Sequence, residues 1–284
     1  MASRLGGILV AFALVAVGNA QVIPPSPMKV LFIGDQGLHR PVDFEAILAP
    51  ALARSGIELT YSENLGVLSR AGLAPYHALF LYNNLVNLTP AALEEVIAFV
   101  EGGKGLVVVH SGIVMARGQV RADSLLGGRF ISHGTDTFQA EIIAPAHPAM
   151  KAVSAFQSWD ETYEMSTTNS DRTVLMVRRP KDKPVEPWTW VRAQGRGRVY
   201  YTASGHDIRT WSVPEFQSQL AIALLWSGQW EATGNVVISR HPAKKMPSGN
   251  FFAKGLQAIY WQSFTSNELV LGRRLPEFRS VDGK

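Results

Sequence analysis

The chain has 284 residues, of which 46% are hydrophobic and 18% are charged, and this composition excludes a wholly disordered protein. It contains no cysteine, which excludes disulfide bonds, thiolate zinc sites and thiol nucleophiles. The formal net charge is +4 and the basic residues are scattered along the chain, so we expect no nucleic-acid partner.

The first twenty residues have the pattern of a secretory signal. Arg4 precedes an apolar stretch over residues 8–17, and small residues follow it before Gln21. We expect residues 1–20 to be removed on export and residues 21–28 to form a Pro-rich linker, which makes the mature protein secreted or periplasmic. The alternative, an uncleaved anchor, is disfavoured because the apolar stretch is short for a bilayer span. No later segment has the length of a membrane helix, so we expect no stable membrane insertion after signal removal.

Strands alternate with helices in the first part of the remaining chain. Continuous apolar runs predict strands that are buried on both faces, and Thr89 followed by Pro90 is typical of a helix start. This alternation favours an α/β fold with a mainly parallel sheet and helices on both faces. The predicted strands are 29–34, 57–61, 77–82 and 105–110, and the predicted helices are 44–55 and one that runs from Pro90 to the glycines at 102–103.

The pattern changes from Phe138 onwards to shorter apolar runs without long helices. These runs predict additional strands at one side of the sheet, followed by a helix over residues 214–227. We assign residues 29–230 to one domain and residues 231–284 to a C-terminal extension of unknown role. The runs read FQAEII, ETYEM, TVLMVR, WTWVR and RVYYTA.

Polar side chains follow the ends of several predicted strands. In a doubly wound sheet, ligands bind beyond the carboxyl ends of the parallel strands. We therefore expect His39, His110 and His206 to face one shared pocket, with Asp207 orienting one of the rings. The alternative is that each ring is a separate cap bonded to a local carbonyl group.

Histidines gathered in this way can act as acid/base groups or as ligands of a divalent metal. No HExxH spacing is present, so metal ligands would have to come from separate strands. The expected catalytic residues are His39, His110, His206 and Asp207, of which the three histidines are also the candidate metal ligands. The expected substrate contacts are Arg40, Asn83, Ser111, Arg129, His133, Asp160 and Glu161, with one of the last two at the rim.

Two of these residues, and His147 in addition, also have plain structural interpretations. His133 follows a Gly-rich stretch and suits a structural cap as well as a substrate contact, while Glu161 also suits a solvated strand position. His147 precedes a proline and is expected to be a turn residue rather than a catalyst.

Several motifs, taken together, resemble the ThuA-like, or trehalose-utilisation, family. They are GLVVVHSG, LLGGRFISH, HPAM followed by WDETYEM, and GRGRVYYTASGHD, and they cover roughly residues 29–230. This family belongs to the class I glutamine amidotransferase-like superfamily. The resemblance therefore implies a flavodoxin-like, doubly wound core with its site at the strand ends, and it implies a small-molecule carbohydrate as the partner.

The resemblance also places His110 at a functional turn. In the amidotransferases of this superfamily a cysteine nucleophile stands at the turn after the corresponding strand, whereas this chain has His110 there and no cysteine. Glutaminase activity by a thiolate is therefore impossible. We expect His110 to be a general acid or base, or a ligand, with Ser111 beside it.

Two functions remain open from the sequence. The first, which we favour, is a hydrolase, lyase or isomerase that acts on a disaccharide or keto-sugar through the strand-end histidines. The second is a non-catalytic carbohydrate-binding or scaffold protein that would need the aromatic residues and arginines but not the histidines. A glycosidase with paired carboxylates is weaker, because Asp160 and Glu161 are adjacent and adjacent side chains in a strand point to opposite faces.

The signal pattern yields a direct prediction. Intact-mass measurement of the exported protein is expected to show a chain that begins at Gln21, because the small residues before it suit cleavage after Ala20. An exported protein that retains Met1 would contradict this prediction.

Overall fold

The structure is a computed structural model that describes residues 26–84 and 87–230. The predicted signal peptide, residues 21–25 of the predicted linker and the predicted C-terminal extension lie outside the described residues, and Met28, the last linker residue, belongs to the first strand. Among the helices of the described ranges, none has the length and apolar character needed to span a bilayer.

The described chain contains strands and helices in close alternation. The strands are β1 Met28–Ile33, β2 Ile57–Ser62, β3 Ala78–Leu81, β4 Gly105–Val109, β5 Gly128–Gln139, β6 Glu141–Ile142, β7 Gln157–Thr167, β8 Thr173–Arg178, β9 Glu186–Gln194 and β10 Gly197–Thr202. The α-helices are α1 Pro41–Arg54, α2 Arg70–Leu73, α3 Pro90–Glu101, α4 Val120–Leu126, α5 Ile208–Trp211 and α6 Pro214–Ser227.

Eight strands form one sheet in the order β2-β1-β3-β4-β10-β9-β8-β6. The first five of these strands are parallel to their neighbours, and β9, β8 and β6 continue the sheet in antiparallel pairing. The order of the parallel part is that of a flavodoxin-like doubly wound fold. The predicted fold class, a mainly parallel sheet with additional strands and helices on both faces, is therefore confirmed.

Three of the predicted strands are adjacent at the centre of the sheet. Strand β3 lies between β1 and β4, and every residue of β3 and β4 is buried. Burial on both faces explains their continuous apolar sequences, because neither face contacts solvent. Parallel pairing brings the carboxyl ends of all three strands to the same edge of the sheet, where the polar residues follow.

Strands β5 and β7 form a separate two-stranded antiparallel ribbon rather than joining the main sheet. The sequence pattern placed all additional strands at one side of the sheet and placed His133 after a turn, and the structure corrects both points. Strand β5 begins at Gly128, and its residues 131–137 are all exposed. A strand that buries neither face carries no alternation of apolar and polar residues, so it left no periodic signal in the sequence.

The chain turns sharply after β4. His110 adopts a left-handed backbone conformation with φ of 48°, and residues His110–Val114 form a 3₁₀ turn. The turn packs closely on β3, since a Cβ atom at Gly112 would lie 2.5 Å from the carbonyl oxygen of Leu81. Glycine at this position allows the turn to sit at the carboxyl end of the central strands.

Replacing Gly112 with Ala is expected to lower the free energy of unfolding by about 1–3 kcal/mol, because the added methyl group overlaps a backbone atom that cannot move freely. The control is Gly134→Ala in the exposed middle of β5, where the added atom meets only the hydroxyl of Thr162 at 3.2 Å. Urea denaturation of both variants measures the difference. Equal midpoints for the two variants would contradict the prediction.

Candidate functional site

Four side chains from four segments meet beyond the strand ends. His39 lies in the loop after β1, His110 at the turn after β4, Glu161 on β7 and His206 in the loop after β10. Each offers a nitrogen or carboxylate oxygen, and these atoms all lie within 4.8 Å of one another. The three histidine rings that the sequence placed in one pocket are thus brought together, and we refer to these four residues as the His/Glu cluster.

His110 is fully buried and held from two sides. Its Nδ1 lies 2.7 Å from the carbonyl oxygen of Ala203, and Tyr163 stacks on its ring with a centroid distance of 4.2 Å. Because a carbonyl oxygen only accepts hydrogen bonds, Nδ1 must carry the hydrogen. The other ring nitrogen, Nε2, then faces Oε2 of Glu161 at 3.2 Å.

His39 is oriented by the same kind of contact. Its Nδ1 donates to the carbonyl oxygen of His206 at 3.2 Å. Burial, together with the neighbouring His110 and His206, lowers the pKa of His39 to about 3. The ring is therefore neutral near pH 7, and its Nε2 carries a lone pair that can bind a cation.

Glu161 carries the negative charge of the cluster. Although burial opposes ionisation, its contacts with His110 and His206 hold the pKa of this carboxyl well below its usual range. For His206, burial disfavours the charged form, but the attraction of Glu161 outweighs it and raises the pKa of that ring. His206 Nδ1 lies 3.2 Å from Oε1 of Glu161 without the alignment of a hydrogen bond.

The donor atoms of the His/Glu cluster are close enough together to hold a metal ion. Two atoms that each bind zinc at about 2.1 Å in tetrahedral geometry lie about 3.4 Å apart. The contacts of Glu161 with His110, through Oε2, and with His206, through Oε1, are each 3.2 Å and so close to that separation, although they use different oxygens of the carboxylate. Imidazole nitrogens with one carboxylate oxygen are a donor set that zinc and other first-row metals accept.

His133 reaches the cluster from the ribbon. Its Nδ1 lies 3.5 Å from Oε1 of Glu161, and its side chain is 43% exposed. It is thus at the solvent side of the site, next to the carboxylate rather than among the four grouped residues. Its Nδ1 also lies 3.4 Å from the carbonyl oxygen of Gly134, so the ring contacts a local carbonyl group as well as the carboxylate.

Two of the predicted substrate contacts, Asn83 and Ser111, follow buried strands and are themselves buried. Asn83 is fully buried and donates from Nδ2 to the carbonyl oxygen of Gly34 at 3.3 Å. Its Oδ1 and the hydroxyl of Ser111 are buried, and neither has a hydrogen-bond partner in the part of the chain that the structure describes. Both residues stand at the strand ends, beside the segments that carry His39 and His110.

Two predicted arginine contacts are engaged elsewhere. Arg40 is 66% exposed and pairs with Asp43 one helical turn away, while Arg129 is 56% exposed and pairs with Asp123. Both arginines follow motif residues in the sequence, but in the structure each is bound to a neighbouring carboxylate at the surface.

Two predicted roles of acidic residues are corrected. Asp207 does not hydrogen-bond a histidine; it caps α5 by accepting from the backbone N–H of Arg209 at 2.9 Å and pairs with the guanidinium of that residue. Asp160 is not at a rim, since it is only 2% exposed and accepts hydrogen bonds from backbone and hydroxyl groups. The reason in both cases is local: backbone N–H groups of the loop and of the helix start lie closer than the rings.

The site contains residues that the sequence analysis did not assign. Tyr163 stacks on His110, and the ring of Trp159 lies 5.5 Å from the ring of His206. The guanidinium of Arg209 covers Trp159 at 3.5 Å from the ring centroid. The signal for two of them was present, because Trp159, Glu161 and Tyr163 alternate along one strand and so share a face.

Known proteins are similar to this chain in sequence and in fold. The family model ThuA, described as trehalose utilisation, matches residues 29–227. A ThuA-like protein from Bacteroides uniformis is 18% identical with a TM-score of 0.60, covering 78% of this chain and 95% of its own. One from Parabacteroides merdae is 17% identical with a TM-score of 0.64, covering 73% and 92%. A cytoplasmic protein from Salmonella typhimurium is 15% identical with a TM-score of 0.52, covering 70% and 99%. No curated protein sequence matches.

The electrostatics of the cluster give a prediction for His206. Replacing Glu161 with Gln is expected to lower the pKa of His206, because the attraction that raises it is removed while the burial that lowers it stays. Titration of the metal-free protein followed by NMR of the imidazole signals measures this change. Asp171→Asn, which removes a carboxylate bound to Arg192, serves as the control and should leave His206 unchanged. A pKa of His206 that is unchanged or raised in the Gln variant would be inconsistent with the ion pair.

Proposed function

We propose, since this chain belongs to the ThuA, or trehalose-utilisation, family, that it is an exported, metal-dependent enzyme that acts on a carbohydrate. The observation that carries the proposal is the His/Glu cluster at the carboxyl ends of the parallel strands. In this fold class that edge is where ligands bind.

The case for a metal rests on how the donor atoms face one another. Nε2 of His110 points at the carboxylate of Glu161, and Oε2 lies 3.2 Å away. A proton or a bound metal cation between these two atoms would link them. Metal-binding histidines usually donate their second ring N–H to a carbonyl or carboxylate, and both His39 and His110 do so.

Each residue then has a definite task in the reaction. A divalent metal in this position would polarise a sugar carbonyl or hydroxyl group and lower the pKa of bound water. His39, His110, Glu161 and His206 would hold it. His133 stands beside Glu161 at the solvent side, where it can contact a hydroxyl group of the substrate. Hydrolysis, elimination and isomerisation of a disaccharide or keto-sugar all require such polarisation next to a proton acceptor.

A carbohydrate also suits the wall of the site. Trp159 lies beside His206, and Arg209 stacks on Trp159 while Asp207 fixes the arginine. Sugar pockets combine an aromatic surface with a few charged hydrogen-bonding groups. The Trp159–Arg209 pair supplies both at the edge of the cluster.

Zinc titration tests the metal. The metal-free mature protein is expected to bind one equivalent of Zn²⁺ and to melt at a higher temperature with it, since a ligand of the folded state stabilises that state. His110→Ala and His206→Ala should each weaken Zn²⁺ binding by more than about 10-fold, because each removes a ligand. His147→Ala is the matched control, because His147 caps a short turn through the N–H of Ala149 and packs against Trp226, and it is not part of the His/Glu cluster. Equal zinc affinity in all three variants, or none in the wild type, would refute the metal.

Turnover separates the enzyme from a carbohydrate-binding protein. The wild type and His110→Gln are assayed against a panel of disaccharides and keto-sugars, with binding followed by calorimetry. An enzyme loses turnover in the variant and keeps most of its affinity for the sugar, whereas a binding protein shows no turnover in either form and little change in affinity.

A further inference from the structure

The loop after β10 holds the cluster together through its backbone. Within residues 203–206, which we call the anchor segment, the carbonyl oxygen of Ala203 accepts from His110 and that of His206 accepts from His39. The carbonyl oxygen of Gly205 accepts from the hydroxyl of Tyr82 at 2.7 Å. The carbonyl groups of Ala203 and His206 therefore decide which ring nitrogen of His110 and of His39 carries the hydrogen.

The N–H groups of the anchor segment point at one buried carboxylate. Asp160 accepts from the N–H of Gly205 at 2.9 Å and from that of His206 at 3.1 Å, one on each oxygen. The hydroxyl of Thr210 donates to it at 2.8 Å, and the N–H of Glu161 at 2.9 Å. A buried carboxylate is costly unless it is fully hydrogen-bonded, and charge-assisted bonds of this kind are short and directional.

The anchor segment needs such a restraint. Gly205 has φ of 127°, a conformation open to glycine but not to other residues, and a Cβ atom there would lie 2.9 Å from Val109. A glycine in this conformation has many alternatives in a free loop. The two bonds to Asp160 fix the peptide planes on either side of Gly205. The peptide groups that carry the Ala203 and His206 carbonyls adjoin these two planes, so restraining the middle of the segment limits the directions of both carbonyls.

We propose that Asp160 is the positioning residue of the site: through the anchor segment it orients His39 and His110 so that their Nε2 atoms face the metal. This inference rests on the proposed function. Asp160 and Glu161 are adjacent on β7 and their side chains point to opposite faces, so one strand supplies both the ligand and the carboxylate that aligns the other ligands.

The substitution Asp160→Asn tests this role. The amide keeps the size of the side chain but has one acceptor oxygen, so either Gly205 or His206 loses its bond and meets an NH₂ group instead. Zn²⁺ affinity is expected to fall by about 10- to 100-fold, as for other residues that orient metal ligands. The visible spectrum of the Co²⁺ form should change as well. Wild-type zinc affinity with an unchanged Co²⁺ spectrum would overturn the proposal.

Two further variants separate positioning from general stability. Asp171→Asn removes a carboxylate that binds the buried Arg192, so it should lower stability while leaving zinc affinity as in the wild type. Thr210→Val removes one donor to Asp160 and should weaken zinc binding several-fold. If Asp160→Asn does not fold, wild-type zinc affinity in Thr210→Val would count against the proposal.

Imidazole ¹⁵N spectra of the metal-free protein distinguish this proposal from the proposed function. The wild type should show the hydrogen of His39 and of His110 on Nδ1, and Asp160→Asn should lose this preference. A wild type that binds no zinc but shows this Asp160 dependence refutes the metal site and keeps the positioning effect. A wild type that binds zinc while the variant changes neither tautomer nor affinity refutes the role of Asp160 alone.

Discussion

The hydrogen bonds between Asp160 and the loop after β10 join the two sheets of this protein at its site. Asp160 belongs to the β5–β7 ribbon, and the N–H groups of Gly205 and His206 belong to a loop of the main sheet. An isolated two-stranded ribbon is only marginally stable in water, so its position depends on contacts of this kind. Because Glu161 follows Asp160 directly, the same bonds place the carboxylate of the cluster opposite the histidines of the main sheet.

The turn after β4 uses backbone strain to aim a side chain. A residue other than glycine costs about 1–2 kcal/mol in the left-handed region, and His110 is held there by its surroundings. The hydroxyl of Tyr201 donates to its carbonyl oxygen, Ala203 accepts from its ring, and Gly112 lets the turn approach β3. The chain thus makes a sharp turn at the edge of the sheet and places an imidazole there. Because the chain has no cysteine, a thiol nucleophile is excluded at this turn.

The sequence predicted the parts of this site that follow buried strands, and it named His133 and Glu161 without predicting the ribbon that positions them. The apolar runs before Asn83 and His110 mark strand ends, and the shared edge of a parallel sheet brings such ends together. The ribbon gave no comparable signal, because the middle of β5 buries neither face, and the sequence therefore left open whether Asp160 or Glu161 lies at the rim. Asp207 was misassigned for a different reason: the helix that it caps, α5, is only four residues long and leaves no periodic pattern.

The wide spacing of the four cluster residues along the chain bears on how the protein folds. His39 and the carbonyl group that orients it, that of His206, are 167 residues apart in sequence and meet only when the strands from β1 to β10 are assembled. Contacts between residues so far apart form only after a long loop has closed, which costs entropy. Folds that are rich in such contacts form slowly. The complete cluster therefore forms only after most of the described domain has been synthesised. A ligand that needs all four residues stabilises the assembled domain rather than an early intermediate.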